Sequence, residues 1–365
     1  MINSNFEILN DTNITEIKTL ISPACLHEEF PMTIKAYNNV IKYREIIKNI
    51  LDKKDDRLIV IVGPCSIHDI TEAKEYATFL QSIQNDLSDS IIIVMRTYFE
   101  KPRTKIGWKG LINDPDLNNS FNINKGLKIA RQLLIDINEM GIPTAIEFLD
   151  TISPQYLSDL ISWGAIGART VESQLHRELV SGLSMPIGFK NSTDGNINIA
   201  IDAIEASIHS HKFLGINHYG LSSIIKTKGN PYSHIILRGS RTNTNYEQKY
   251  IDQTYNTLVS RNLIPNIIID CSHGNANKKY KNQISVIKYL IELIKNGYNN
   301  ISGIMIESNL KEGNQKLDIY NLDKLEYGKS ITDECINWND TYILLQLLAN
   351  AVREKKVIKS HFQLN

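Results

Sequence analysis

Eight short apolar runs punctuate the chain between residues 57 and 308, and each closes on or beside a side chain with chemistry to offer. They are RLIVIVGPC (57–65), IIIVMRTYFEK (91–101), PTAIEFL (143–149), AIGART (165–170), PIGFK (186–190), HIILRG (234–239), NIIIDCSH (266–273) and SGIMIES (302–308). Apolar runs this short and unbroken suit strands buried on both faces, as in parallel sheets. Helical periodicity fills the stretches between them, over 71–84, 124–141, 153–164, 172–183, 197–209, 246–260, 278–296 and 340–354. Ser153 and Pro154 would open the third of these helices and Gly164 would close it. Strand–helix alternation repeated eight times, with no cue for a strand-order reversal, predicts an α/β fold closed into a (β/α)8 TIM barrel. One run breaks the count. KFLGIN (212–217) ends on nothing reactive and LSSIIKT (221–227) follows it, so 212–227 is expected to form an antiparallel β-hairpin. It would turn near Tyr219 and Gly220, inserted between the fifth barrel helix and the sixth barrel strand.

The C-terminal strand ends of such a barrel share one mouth, where active sites lie. The closing residues are Cys65, Arg96 with Lys101, Glu147, Arg169, Lys190, Arg238, His273 and Glu307. Closure sets strand eight beside strand one, which gathers His273, Glu307 and Cys65. Asp333, in YGKSITDEC (327–335), joins them if that loop folds back over the mouth. One thiolate, one imidazole and two carboxylates suit Mn²⁺, Fe²⁺, Co²⁺ or Zn²⁺ better than Mg²⁺ or Ca²⁺. Opposite stand Arg96, Lys101, Arg103, Lys105, Lys109, Arg169, Lys190 and Arg238, too many cations for one mouth unless a multiply charged anion completes it. Glu147 among them reads as an orienting or water-holding carboxylate, or as a plain ion-pair partner of a lysine. Cys271 reads as core packing.

A barrel uses roughly 250 of the 365 residues, leaving roughly 115. The surplus falls in 1–56, 211–230 and 308–332. Residues 1–56 are expected to be an N-terminal extension, a polar tail with one amphipathic helix near 33–51, and 57–365 the catalytic barrel. Segment 102–123 is long for a loop in a compact domain, which points to a lid. The formal net charge is zero with no block of like charges, which argues against nucleic acid or an anionic membrane as partner. No apolar run approaches the ~18 residues that span a bilayer. The N-terminus lacks the pattern of a secretory signal, and cysteines 25, 65, 271 and 335 make no CxxC, so reduced thiols and a cytoplasmic protein are expected.

Nine segments together resemble the type I, aromatic-amino-acid-regulated 3-deoxy-D-arabino-heptulosonate 7-phosphate (DAHP) synthases. They are GPCSIHD (63–69), MRTYFEKPRT (95–104), GWKGLINDPDL (107–117), SWGAIGART (162–170), GFKNSTDG (188–195), HIILRG (234–239), DCSHGN (270–275), IESNLKEGNQ (306–315) and YGKSITD (327–333). The resemblance runs from about residue 10 to residue 353. It implies condensation of phosphoenolpyruvate with erythrose 4-phosphate and water, releasing phosphate, at the entry to the shikimate pathway. It implies a divalent metal on Cys65, His273, Glu307 and Asp333. Arg96, Lys101, Glu147, Ala168 through its backbone, Arg169, Lys190 and Arg238 would surround phosphoenolpyruvate, with Lys190, Glu147 and Arg169 closest to the chemistry. Arg103 and Thr104 would receive the aldose phosphate.

The resemblance further implies an inhibitor pocket involving Asp11, Pro154, Leu183, Ser184, Phe213 and Gly215, and assembly as a homodimer or homotetramer. Asp11 is similar to the phenylalanine-sensitive form, whereas Gly215 and HGNANK (273–278) are similar to the tyrosine-sensitive one. Departures from the family pattern are Val171, Ser192 and Ser240, none of which removes a charge or a ligand. A sister enzyme acting on arabinose 5-phosphate is the nearest alternative, and KPRT (101–104) argues against it. A non-catalytic binding barrel and a Schiff-base aldolase using Lys190 are the other rivals.

Overall fold

The structure, a computed structural model, describes residues 9–103 and 107–363. Eight parallel strands close into a barrel: β1 (Leu58–Gly63), β2 (Ile91–Arg96), β3 (Thr144–Glu147), β4 (Trp163–Ile166), β5 (Ile187–Lys190), β8 (Ser233–Leu237), β9 (Ile267–Asp270) and β10 (Gly303–Glu307). β10 pairs with β1, as closure requires. Between β5 and β8 the chain leaves the barrel to form an antiparallel hairpin, β6 (Lys212–Ile216) with β7 (Ser222–Lys226). Its turn needs Gly220, whose φ of 77° is left-handed.

Successive strand side chains point to opposite faces, and that alternation sorts the core in two. Leu58, Val60 and Val62 of β1 join the larger cluster under the outer helices. Ile59 and Ile61 face inward with Ile92, Val94, Ala145, Trp163, Ala165, Ile236, Ile268 and Met305. One floor of this interior is sealed by the N-terminal extension. Helix α1 (Pro23–Glu29) precedes α2 (Ile34–Leu51), whose Tyr43, Ile47, Ile50 and Leu51 pack against those inward residues. The side chain of Thr33 caps the start of α2, and the Asn266 amide donates to the Leu51 carbonyl at its end (2.9 Å).

Around the barrel run α3 (Ile70–Leu87), α4 (Ile123–Glu139), α5 (Pro154–Leu157), α6 (Gln174–Val180), α7 (Ile197–Ser207), α8 (Gln248–Ser260), α9 (Tyr280–Lys295) and α10 (Trp338–Gln363). No described helix is long and apolar enough to cross a membrane.

Two expectations need correction. The helix placed over 153–164 is the single turn α5 followed by a 3-10 turn at Ser158–Leu160, because Trp163 and Gly164 belong to β4. The hydroxyl of Ser153 does not cap it but donates to the buried carboxylate of Glu100 (3.0 Å). Strand four therefore spans 163–166 rather than 165–170, and Arg169 lies in the loop beyond it. Helix α1 was not legible in the polar N-terminal segment, and α10 extends well past residue 354.

Ile47→Ala empties a fully buried position between α2 and the barrel floor. A loss of about 2–5 kcal/mol is expected, read as a lower midpoint of urea unfolding. An unchanged midpoint would show that α2 is not part of the barrel core.

Candidate active site

Apart from His234 on β8, the inward register of each strand is apolar until its last position. That position holds Arg96 on β2, Glu147 on β3, Lys190 on β5, Asp270 on β9 and Glu307 on β10, with Arg238 one residue past β8. On β1 and just past β4 the same register offers glycine. A Cβ on Gly63 would approach the Arg96 backbone to 3.1 Å, and one on Gly167 would meet Glu147 Oε1 at 2.5 Å. These two absences of side chain let Arg96 and Glu147 lie across the mouth. Cys65, Arg169 and His273 then enter from loops two or three residues beyond their strands.

A cavity of about 560 Å³ occupies this mouth. Its lining includes Arg96, Lys101, Arg103, Glu147, Ala168, Arg169, Lys190, Arg238, His273, Glu307 and Asp333. Lys109 is not among its lining residues, and Thr104 and Lys105 lie outside the described residues.

On one side, ligand atoms of Cys65, Glu307 and Asp333 lie within 4.8 Å of one another. His273 Nε2 stands 3.7 Å from Glu307 Oε1 and 4.0 Å from Asp333 Oδ2. The imidazole is aimed by its other nitrogen: Nδ1 lies 2.8 Å from Asp270 Oδ2 and 2.6 Å from Ser272 Oγ, leaving Nε2 to face the acids. A left-handed backbone at His273 (φ 50°) turns the ring inward. Burial, with Glu307 adding to it, pushes the Cys65 thiol up to about 12. A divalent cation among these donors would offset that penalty, and the mixed sulfur, nitrogen and oxygen set fits one.

On the other side the buried cations are paired. Arg96 Nη2 donates to Glu307 Oε1 (3.0 Å), while its guanidinium lies 3.9 Å from the centre of the Tyr98 ring. Lys190 Nζ donates to Glu147 Oε2 (2.9 Å) and stands 3.7 Å from Asp270 Oδ2. Burial alone would raise Glu147, but Lys190 and Lys101 outweigh it and hold its carboxyl at about 2. Burial likewise opposes the Lys190 charge, yet Glu147, Tyr98 and Asp270 raise its ammonium to about 12. Lys101 bridges the two halves, its Nζ 3.1 Å from Cys65 Sγ.

The profile of the DAHP synthetase I family matches residues 29–346. The chain belongs to that family. It is 54% identical over 347 residues to the Phe-sensitive phospho-2-dehydro-3-deoxyheptonate aldolase of Escherichia coli K12, covering 95% of this chain and 98% of the relative. It is 50% identical over 343 residues to the Trp-sensitive enzyme of the same organism, covering 94% and 98%. The solved structure of phospho-2-dehydro-3-deoxyheptonate aldolase from Francisella tularensis SCHU S4 superposes with a TM-score of 0.91 at 50% identity, covering 94% of this chain and 99% of that one. As a member of the DAHP synthetase I family the chain is an enzyme, a 3-deoxy-7-phosphoheptulonate synthase.

Sequence reasoning missed Asp270, Ser272 and Tyr98. Asp270 was available: it closes the apolar run NIII, and His273 drew attention past it.

A depressed carboxyl gives stability that is fully present above its ordinary value and lost as pH falls towards the folded one. Glu147→Gln is therefore expected to flatten the acid limb of stability between about pH 4.5 and about pH 2. Urea unfolding across that range reads it, and parallel losses in parent and variant would refute the pairing.

Proposed function

We propose that this mouth condenses phosphoenolpyruvate with erythrose 4-phosphate and water, releasing phosphate and forming DAHP. One observation carries this: a metal-donor cluster and a set of buried cations face each other across a single cavity of about 560 Å³. Cys65, His273, Glu307 and Asp333 would hold Mn²⁺, Fe²⁺, Co²⁺ or Zn²⁺. When bound, the ion supplies Lewis-acid polarisation of the aldehyde.

The remaining work belongs to the chain. Arg96, Lys101, Arg169, Lys190 and Arg238 bind the carboxylate and phosphate of phosphoenolpyruvate, with the Ala168 backbone against it. They stabilise charge that grows on the leaving phosphate. Arg103, at the rim, with Thr104, takes the aldose phosphate. Glu147, held at about 2, stays an anion and orients water rather than donating a proton. Lys190, held at about 12, is an ammonium beside it and can give one. The same charge counts against Lys190 as an imine-forming amine, which must be neutral to attack.

A second cavity, of about 450 Å³, suits an aromatic amino acid effector. Ile152, Leu175, Leu179, Phe213, Gly215 and Ile216 line it with the two serines of β7, and it shares no lining residue with the mouth. Pro154 stands two residues beyond Ile152, whereas Asp11, Leu183 and Ser184 are not among its lining residues. Exposed apolar side chains on the hairpin, Leu214 and Ile224, and on the N-terminal segment, Leu9, Ile14 and Ile17, fit assembly as a homodimer or homotetramer.

Chelator-stripped enzyme is expected to consume phosphoenolpyruvate only after Mn²⁺ is restored, and Cys65→Ala to lose activity at least about a hundredfold. Full activity without metal would break the ligand assignment, and equal turnover of arabinose 5-phosphate would favour the sister reaction. Titration of phenylalanine, tyrosine and tryptophan is expected to show inhibition by one of them. Ile152→Glu, which charges the second cavity, should abolish that inhibition while sparing turnover. Indifference to all three amino acids would discard the regulatory assignment.

A further inference from the structure

Two of the proposed metal ligands bracket one long loop. The chain leaves β10 at Glu307 and adds no further donor to the Cys65–Glu307 cluster until Asp333, although Asn314 and Thr332 also line the mouth. The Asp333 side chain is 66% exposed and is not among the groups that stitch the loop, although its backbone carbonyl accepts from Cys335 Sγ (3.8 Å). Its position is inherited from the backbone around it. Much of that backbone is stitched to itself: the Lys311 amide donates to the Gly328 carbonyl (2.8 Å), Gln315 to that of Ser330 (2.8 Å), and Gly313 exchanges bonds with Cys335.

A buried acid ties this stitched unit to the barrel. Glu72, on the first turn of α3, is 2% exposed. Its Oε1 accepts from Asn309 Nδ2 (2.6 Å), just past Glu307, and its Oε2 from the Gly328 amide (3.1 Å), shortly before Asp333. Both partners are donors, and the Asn309 amide cannot profitably flip, because its Oδ1 already accepts from the Leu310 amide (2.7 Å). His68 Nε2, 3.7 Å from Oε2, borders the same carboxylate. Only a group with two acceptors satisfies this place without a clash of donors. Burying an acid here is costly, and nothing in the proposed chemistry touches it.

We propose that Glu72 is a positioning residue of the metal centre: it clasps both ends of the 308–332 loop and so presents Asp333 to Cys65, His273 and Glu307. This rests on the metal assignment above. The clasp acts on the metal side of the mouth and leaves the phosphoenolpyruvate cations on β2, β5 and β8 alone.

The test uses metal-free, full-length enzyme. Co²⁺ is titrated and followed by the thiolate-to-Co²⁺ charge-transfer absorption that Cys65 ligation produces, while phosphoenolpyruvate binding is measured separately by calorimetry. Glu72→Gln turns one acceptor into a donor facing a donor and should weaken Co²⁺ about tenfold or more, with phosphoenolpyruvate affinity within about twofold. Asn309→Asp opposes two carboxylates and should do the same. The double variant Glu72→Gln/Asn309→Asp restores a donor–acceptor match, since the amide introduced on α3 can donate to the carboxylate introduced in the loop and still accept from Gly328. It should recover Co²⁺ affinity to within about threefold of the parent.

Single variants that bind Co²⁺ like the parent would overturn the clasp, as would a double variant no better than either single. If Glu72→Gln alone does not fold, Asn309→Asp and the double variant decide between the same outcomes. A parent without the thiolate band would remove the metal assignment and the clasp with it, whereas a normal parent band and an unaffected Glu72→Gln would remove the clasp alone.

Discussion

The mouth depends on charge compensation among side chains that have almost no water. Arg96, Lys190, Asp270 and Glu307 are each no more than 4% exposed, and each would be prohibitively unfavourable alone. They survive because they are chained: Arg96 to Glu307, His273 to Asp270, and Lys190 to Asp270 and Glu147. The chain of pairs runs across the mouth from the metal-donor cluster to the anion pocket. Ground-state pairing also fixes protonation, so Lys190 is an ammonium and Glu147 a carboxylate before any ligand arrives.

Most of this was legible in the sequence because one rule produces it. Two-residue alternation places the last inward residue of each strand at the mouth, and six of the eight strands spend that position on a charged side chain or set one immediately after it. The rest was legible only in part. Arg169 reads as a strand end, yet β4 stops at Ile166, because the chain turns at once: the Thr170 and Val171 amides donate back to the Gly167 carbonyl (3.1 and 3.0 Å). Periodicity over 153–164 suggested a helix, but Pro154 is followed too soon by a strand for more than one turn to form. Asp270 was passed over because a histidine three residues later has the more conspicuous chemistry. Glu72 has no local signature at all, since both its partners come from a loop more than two hundred residues away.

The elements outside the ideal barrel divide into two kinds. Helix α2 extends the core, contributing Ile47 and Leu51 to the interior beneath the strands. The hairpin instead leaves the core, with Leu214 and Ile224 largely exposed and, together with Phe213, bordering the second cavity. Its tip meets the N-terminal segment, where the Ala24 amide donates to the His218 carbonyl (2.8 Å) and the His27 and His218 rings lie 5.0 Å apart. Sequence insertions that would be dispensable to a barrel as a container are thus joined to each other.

A barrel stoppered by α2 is a vessel with one opening. The groups deepest in it, Lys190, Asp270 and Arg96, lie buried beneath the rim where Arg103 and Asp333 stand exposed. A ligand held by those buried cations therefore lies beneath anything held at the rim, and the packed interior with α2 behind it forms the floor of the cavity.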